Sequence, residues 1–497
     1  MAINLSDAGA LLGVARGNGV LRSAPRFLSN LTVAAGFGWS VLFVVIALRY
    51  ELQMYGDGSI FSYAVAVQDA WAFHWHNVSV RLFTYVFSFV PAETYVALTG
   101  HAKGGIVVYG LMQFAAPLLG LLATLAADRS KDRVIFQYTC LSTACLCPLV
   151  FGFPTEMWMA HALFWPALAV CHYAPVARSG AVAVFAALLA LLFTHEGAVL
   201  FGLAILATLV LRGCRDPAFI RAVAAFTVAM TIWLIVKLTL RPDDYISGVI
   251  LAAAFRFIDI GNLGSPAFLL LLATLAGYLV AVLLLRPASP VNSPIYAGAL
   301  VAVALAVYWI WFDRSLHSDD RYVVRTALLI ATPLLGALAA LRAVERDDRR
   351  MIRVPFLPQL AATVTIGLAT RYAAVGMLLV MLVHAVETAK FAMAWEDDKA
   401  AVLTLARGTA SDPALGHPTF VSAQRIDAKL NRLSWNSTTP FLSVLVTPRF
   451  ATTRLVVDPN ANYFWLPCAT ARKNEEADRA VLKESRRLIR LHACLHR

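Results

Sequence analysis

The sequence predicts an all-α polytopic membrane protein of about ten to twelve transmembrane helices, with interfacial helices in its first outer loop and a small C-terminal α/β domain. Three observations carry that prediction. Hydrophobic residues make up 59% of the 497 and charged residues 14%, with a mean hydropathy of +0.68, which is more apolar surface than a water-soluble core absorbs. Apolar stretches of about 20 residues, the length that crosses a hydrocarbon layer of about 30 Å, recur between short polar punctuations. Basic clusters stand in the N-terminal lead (Arg16, Arg22, Arg26), at 129–133, Arg178, 212–221, Arg286 and 342–353. Each is separated from the next by an even number of expected spans, as loops retained on the cytoplasmic side should be.

Along the chain, residues 1–31 read as a cytoplasmic lead, 32–392 as the membrane domain and 393–497 as a small soluble domain. The first apolar stretch begins near residue 32 behind a polar lead, which reads as a retained span rather than a cleaved peptide. The outer loop at 50–103 is not a simple connection. Ile60, Phe61, Val65 and Trp71, then Val78, Leu82, Tyr85 and Phe89, recur at helical spacing among polar residues, predicting interfacial helices, the second ended by Pro91. Further spans are expected at 104–126, 134–152, 157–176, 218–240, 266–286, 295–312 and 323–341. The stretch 180–211 is too long for one helix and reads as a hairpin turning near His195. Residues 356–392 fit either one long span or a short pair, and the choice decides which side the tail occupies. The tail carries strand-like runs at 442–446, 455–457 and 463–466 and a helical pattern at 475–491.

Cysteine usage gives no zinc-type spacing. Cys140, Cys145, Cys147 and Cys171 fall in apolar stretches and are expected to pack as small hydrophobes; whether Cys468 and Cys494 pair depends on the side of the tail. The net charge of +12 sits beside span ends, which fits cytoplasmic loops and anionic lipid and argues against a nucleic-acid partner.

Polar residues gather on the expected outer face, where ionisable groups near membrane depth are functional candidates because desolvation is costly. Asp57, in Gly56-Asp57-Gly58, is placed to accept a proton from an attacking hydroxyl, or is a turn residue between two glycines. Asp69, His74, His76 and Arg81, interleaved with Trp71, Phe73 and Trp75, suit an interface that meets a polar head group, although such aromatics commonly just anchor the interface. Glu156 lies at an outer span junction, with His161 reading as a satisfied buried histidine. Thr194-His195-Glu196-Gly197 interrupts an apolar stretch, so His195 and Glu196 are expected to face a cavity or one another. Arg321, Tyr322 and Arg325 open a late span; guanidinium forks suit phosphate, and ion pairing with neighbouring aspartates competes. A divalent metal has no specific site in this set: Glu156, His161, His195 and Glu196 would have to converge from separate helices.

A long first outer loop with interfacial helices, an acidic residue soon after the first span at Asp57, and a late outer Arg321-Tyr322 leading into a span together resemble the GT-C superfamily of membrane glycosyltransferases. The resemblance covers roughly residues 30–390. It implies transfer of a sugar from a polyprenyl-phosphate-linked donor to an envelope lipid, glycan or protein acceptor at the outer face, with Asp57 as catalytic base and Arg321 holding the lipid phosphate. Asp69, His74, His76, Arg81, Glu156, His195, Glu196, Tyr322 and Arg325 are the substrate-binding candidates, and the bacterial inner membrane is the expected location. The pattern departs from the family at Asp57, where the usual acidic pair is replaced by flanking glycines. Two other classes stay open: a transporter or flippase using His195, Glu196 and Arg371, and a non-catalytic partner in envelope polysaccharide assembly.

Overall fold

The computed structural model describes residues 24–68, 70, 81–150, 156–239, 320–347, 371–409, 412, 420–431, 433, 438–450 and 454–458, with isolated positions between 299 and 310. The expected spans at 266–286 and, apart from isolated positions, 295–312, the runs at 463–466 and 475–491, and Asp69, His74, His76, Cys468 and Cys494 lie outside the described residues. Those described are predominantly helical. Among the described residues, five helices are long and apolar enough to cross a membrane: Asn30–Arg49, Leu82–Thr99, Ala102–Ala127, Pro217–Lys237 and Leu328–Glu345.

Helix α1 (Ala24–Arg49) contains the first expected span. Ala35, Trp39, Phe43 and Ala47 recur every fourth residue and are buried, whereas Val41, Leu42 and Val45 are exposed on the outward side, the one-sided pattern of a helix packed on a bundle with lipid behind it. After a short turn comes α2 (Asp57–Ala66), then α3 (Leu82–Thr99) and α4 (Ala102–Ala127). Next are α5 (Val134–Leu146), α6 (Glu156–Tyr173), the hairpin α7 (Arg178–Leu192) and α8 (Ala198–Val210), and α9 (Pro217–Thr239). The hairpin turns where expected, at 193–197. The bundle closes with α10 (Asp320–Arg346) and α11 (Arg371–Arg407).

Small residues set the closest helix approaches, as expected where apolar helices associate by packing. A Cβ on Gly120 of α4 would sit 2.5 Å from the Ala162 carbonyl oxygen of α6, and one on Gly36 of α1 would sit 2.9 Å from the Cys140 Cα of α5. Cys140, Cys147 and Cys171 are buried thiols, as the sequence predicts.

The two ends of the bundle are chemically distinct. At the lower end, the Lys131 amide donates to Asp347 Oδ1 at 3.0 Å and the Tyr173 hydroxyl to Asp347 Oδ2 at 2.7 Å. Arg221 donates to the Ala174 carbonyl at 3.0 Å, and Arg212 to the His172 carbonyl. Stretches 129–133, 212–221 and the end of α10 thus meet at one end, in keeping with the expected shared side of the basic loops. The upper end carries 50–57, Arg81, Glu156 and 193–197.

Three expectations are corrected. Pro91 does not end its helix: α3 runs on to Thr99, with Pro91 in the first turn of its last segment, behind a π-helical turn at Tyr85–Phe89. Proline is tolerated there because a first-turn N–H needs no helical acceptor. The run at 442–446 is mostly helix, α12 (Thr439–Leu445), with Pro440 at its start; a contiguous apolar run carries no period to tell buried helix from buried strand. The boundary at 393 falls inside α11, a single helix.

Helix α3 also meets the upper end with both halves. Its start is tied by Arg81 to Glu156 and Glu196, and Val96 packs where a Cβ on Gly105, early in α4, would fall. Its length and apolarity would allow a crossing, and its middle packs along the first half of α4, Phe89 against Tyr109 and Ser88 against Gln113. The described tail sits at the same end. Strand β1 (Phe420–Ser422) pairs in parallel with β2 (Leu455–Val457), Val421 opposite Val456, and Phe441 of α12 meets Tyr63 of α2 edge-on at 5.4 Å.

Candidate functional site

Asp57 is presented by a tight turn. Glu51 adopts the left-handed conformation at φ 57, Leu52–Met54 form one 3-10 turn, and Gly56 stands at φ 58, ψ −132, a region essentially reserved to glycine. Ser59 donates to the Met54 carbonyl and Ser62 to the Gln53 carbonyl at 3.1 Å, closing the turn onto the first windings of α2. Asp57 is the first residue of that helix, where the unsatisfied N–H groups favour a carboxylate. Of its two glycines only Gly56 is conformationally required; Gly58 is helical.

Arg81 is the centre of the cluster. Its Nη1 lies 3.0 Å from Glu156 Oε1, and its Nη2 and Nε lie 3.0 and 3.1 Å from Glu196 Oε2. Glu156 is supplied by the start of α6 and is buried; Glu196 is supplied by the α7–α8 turn. The start of α3 is fastened to that turn by the Phe83 amide on the Phe193 carbonyl at 3.0 Å and the Thr84 hydroxyl on the Thr194 carbonyl at 3.2 Å. Burial opposes charge on Arg81, but the two carboxylates outweigh it and hold the guanidinium protonated even more firmly than usual. Burial likewise works against the Glu196 carboxylate, and the Arg81 guanidinium overcomes it, lowering Glu196 to about 2.

His195 Nδ1 accepts the Gly197 N–H at 2.9 Å. That bond assigns the neutral ring its proton at Nε2 and makes the 3.9 Å approach of Nδ1 to Glu196 a neighbouring contact rather than an ion pair.

Asp57 and Glu156 both lie within electrostatic reach of the Tyr109 phenol, which is fully buried in α4. The Tyr109 ring lies tilted against Phe89 of α3 at 5.2 Å, and one turn further Gln113 donates to Ser88 at 3.1 Å. Lys237, at the end of the apolar part of α9, faces Glu196 and Arg81 with its ammonium 5.9 Å from the Trp233 ring. Sequence reasoning missed Tyr109, Gln113 and Lys237. The signal was there for the first two, polar residues at helical spacing inside an apolar span, and Lys237 is the last charge before 241–265.

The structure therefore brings together Arg81, Glu156, His195 and Glu196 from three separate stretches, and Asp57 shares with Glu156 the electrostatic surroundings of Tyr109. His161 does not join them: its Nε2 meets Ser142 Oγ at 2.8 Å and the Trp165 indole at 3.4 Å, the satisfied buried histidine expected. Arg321, Tyr322 and Arg325 fall in the first turns of α10, and their side chains lie outside the described residues, as does that of Arg371. Among the described residues no group of three or more His, Cys, Asp or Glu side chains is arranged to hold a metal ion. The sequence matches no protein-family model and no curated protein.

Proposed function

We propose that this protein is a membrane glycosyltransferase of GT-C type, with about ten to twelve spans, that moves a sugar from a polyprenyl-phosphate-linked donor to an envelope lipid, glycan or protein acceptor at the outer face of a bacterial inner membrane. The observation that supports this reading best is the Arg81–Glu156–Glu196–His195 cluster at one end of an apolar bundle, with Asp57 in electrostatic reach of the same buried Tyr109 phenol as Glu156. A reaction between a lipid-borne donor and an envelope acceptor needs polar chemistry at one face. A carrier needs it where both faces alternately reach, typically near the midplane.

In this mechanism Asp57 takes the proton of the acceptor hydroxyl as its oxygen bonds to the sugar's anomeric carbon. The bond from that carbon to the donor phosphate breaks, and its electron pair leaves with the polyprenyl phosphate. Arg321 or Arg325 stabilises the departing phosphate charge. Arg81 is engaged by two carboxylates, so its role is to hold Glu156 and Glu196 in place toward the sugar or acceptor rather than to bind phosphate itself. Lys237 offsets part of the remaining negative charge.

The test is transfer of radiolabelled sugar from polyprenyl-phosphate donors by purified protein in lipid vesicles, wild type against Asp57→Asn. Transfer by the wild type that vanishes in a well-folded Asp57→Asn supports the assignment. Normal turnover by that variant removes Asp57 from the mechanism, and movement of the donor across the bilayer without transfer replaces the reading with a flippase.

A further inference from the structure

Polar contacts join the described C-terminal segment to the residues just ahead of Asp57 in the first outer loop. The Trp395 indole and the Lys399 ammonium both donate to the Tyr50 carbonyl at 3.0 Å. Lys399 also meets Glu51 Oε2 at 2.9 Å and is itself held by Glu396 at 2.9 Å, one helical turn back. The Tyr55 hydroxyl donates to the Leu433 carbonyl at 3.0 Å, and the Tyr55 ring packs edge-on against Phe391 at 5.0 Å and Trp395 at 5.2 Å. Lys399 and Trp395 are buried, although they stand near the polar end of a long helix.

These contacts fall on strained backbone. Glu51 is a non-glycine residue at φ 57 and Gly56 occupies a glycine-only conformation, and such conformations persist only where their surroundings over-determine them. A turn of this kind left to itself would relax and swing the start of α2, and Asp57 with it.

We infer that the upper end of α11 is a positioning device for the catalytic turn, with Lys399 as its principal positioning residue, supported by Trp395 and Tyr55. Lys399 touches no reacting atom in this scheme; it acts by pinning Tyr50 and Glu51, so that Asp57 meets the acceptor hydroxyl in one geometry. The catalytic consequence rests on the transferase reading above, whereas the mechanical one does not. The C-terminal segment is then part of the active unit and not a separate soluble module.

The experiment uses the full chain in nanodiscs and two readouts. Amide hydrogen exchange across 51–58 is compared among wild type, Lys399→Met, Lys399→Arg and Tyr55→Phe. Loss of one charge-assisted hydrogen bond corresponds to about tenfold faster local exchange, expected in Lys399→Met and in smaller measure in Tyr55→Phe, with 102–127 unchanged and Lys399→Arg near wild type. Sugar transfer by Lys399→Met should fall about tenfold to a hundredfold in kcat, with KM for the donor within about twofold and recovery in Lys399→Arg. Unchanged exchange in both Lys399→Met and Tyr55→Phe overturns the inference, as does faster exchange with unaltered kcat. If the wild type transfers no sugar, the transferase reading falls, and the exchange data alone decide whether α11 holds the turn. Should Lys399→Met fail to fold, Tyr55→Phe carries the same comparison.

Discussion

The Arg81 guanidinium meets a single oxygen of Glu196 twice, through Nε at 3.1 Å and Nη2 at 3.0 Å, while its remaining nitrogen reaches Glu156 at 3.0 Å. Only a planar fork with several fixed donors bridges two carboxylates in this way. Arg81→Lys is therefore expected to behave as a severe substitution, costing about 1.5–3 kcal/mol for the lost charge-assisted bonds. Removing the charge altogether in Arg81→Met leaves buried Glu156 and half-buried Glu196 without their shared cation and should cost about 3–5 kcal/mol. Thermal unfolding in detergent should rank the proteins wild type, Arg81→Lys, Arg81→Met.

The same pair sets a pH dependence. Glu196 is lowered from an ordinary 4.5 to about 2, so the folded protein binds its proton less readily than the unfolded chain. Its contribution is fully present above about pH 4.5 and is lost as pH falls toward 2. Thermal midpoints of wild type and Glu196→Gln should run parallel at neutral pH and converge below pH 4.5. Convergence between pH 5 and 8 instead would contradict the assignment.

His195 offers a separation of structural and chemical roles. Its Nδ1 accepts the Gly197 amide at 2.9 Å, a bond that the side-chain oxygen of asparagine can reproduce and that of the longer glutamine reproduces poorly. His195→Asn should retain a higher melting temperature than His195→Gln. Both should lose whatever part of transfer depends on Nε2.

Gly120→Ala places a methyl 2.5 Å from the Ala162 carbonyl oxygen, a backbone atom that cannot rotate away. Separating α4 from α6 should cost about 1–3 kcal/mol. Because α6 carries Glu156, a spectroscopic probe at the upper end should report the shift; an unperturbed melting temperature would mean that the helices approach less closely than described.

What could be read from the sequence follows from what membranes demand of a chain. The spans at 32–49, 104–126 and 218–240 and the hairpin turning near His195 were legible because a bilayer imposes length and apolarity on each crossing independently of its neighbours. The basic stretches 129–133 and 212–221 pointed to a common end for the same reason. Glu156, His195 and Glu196 were legible as candidates because each interrupts or borders apolar sequence. That Arg81 bridges them was not, since no local pattern records which side chain a distant one will meet. The helix at Thr439–Leu445 and the continuity of Arg371–Arg407 escaped for a related reason. Both depend on tertiary burial, which overrides local propensity where periodicity is absent.

The bond from Lys399 to the Tyr50 carbonyl joins residues 349 positions apart. Chains are made from the N-terminus, at about 5–20 residues per second, so the segment bearing Asp57 leaves the ribosome tens of seconds before the helix that braces it. Throughout that interval the acidic turn lacks its brace. On the proposed transferase reading, a newborn chain with its early helices already in the bilayer would thus be silent toward any lipid-borne donor around it, and competence would arrive when α11 docks.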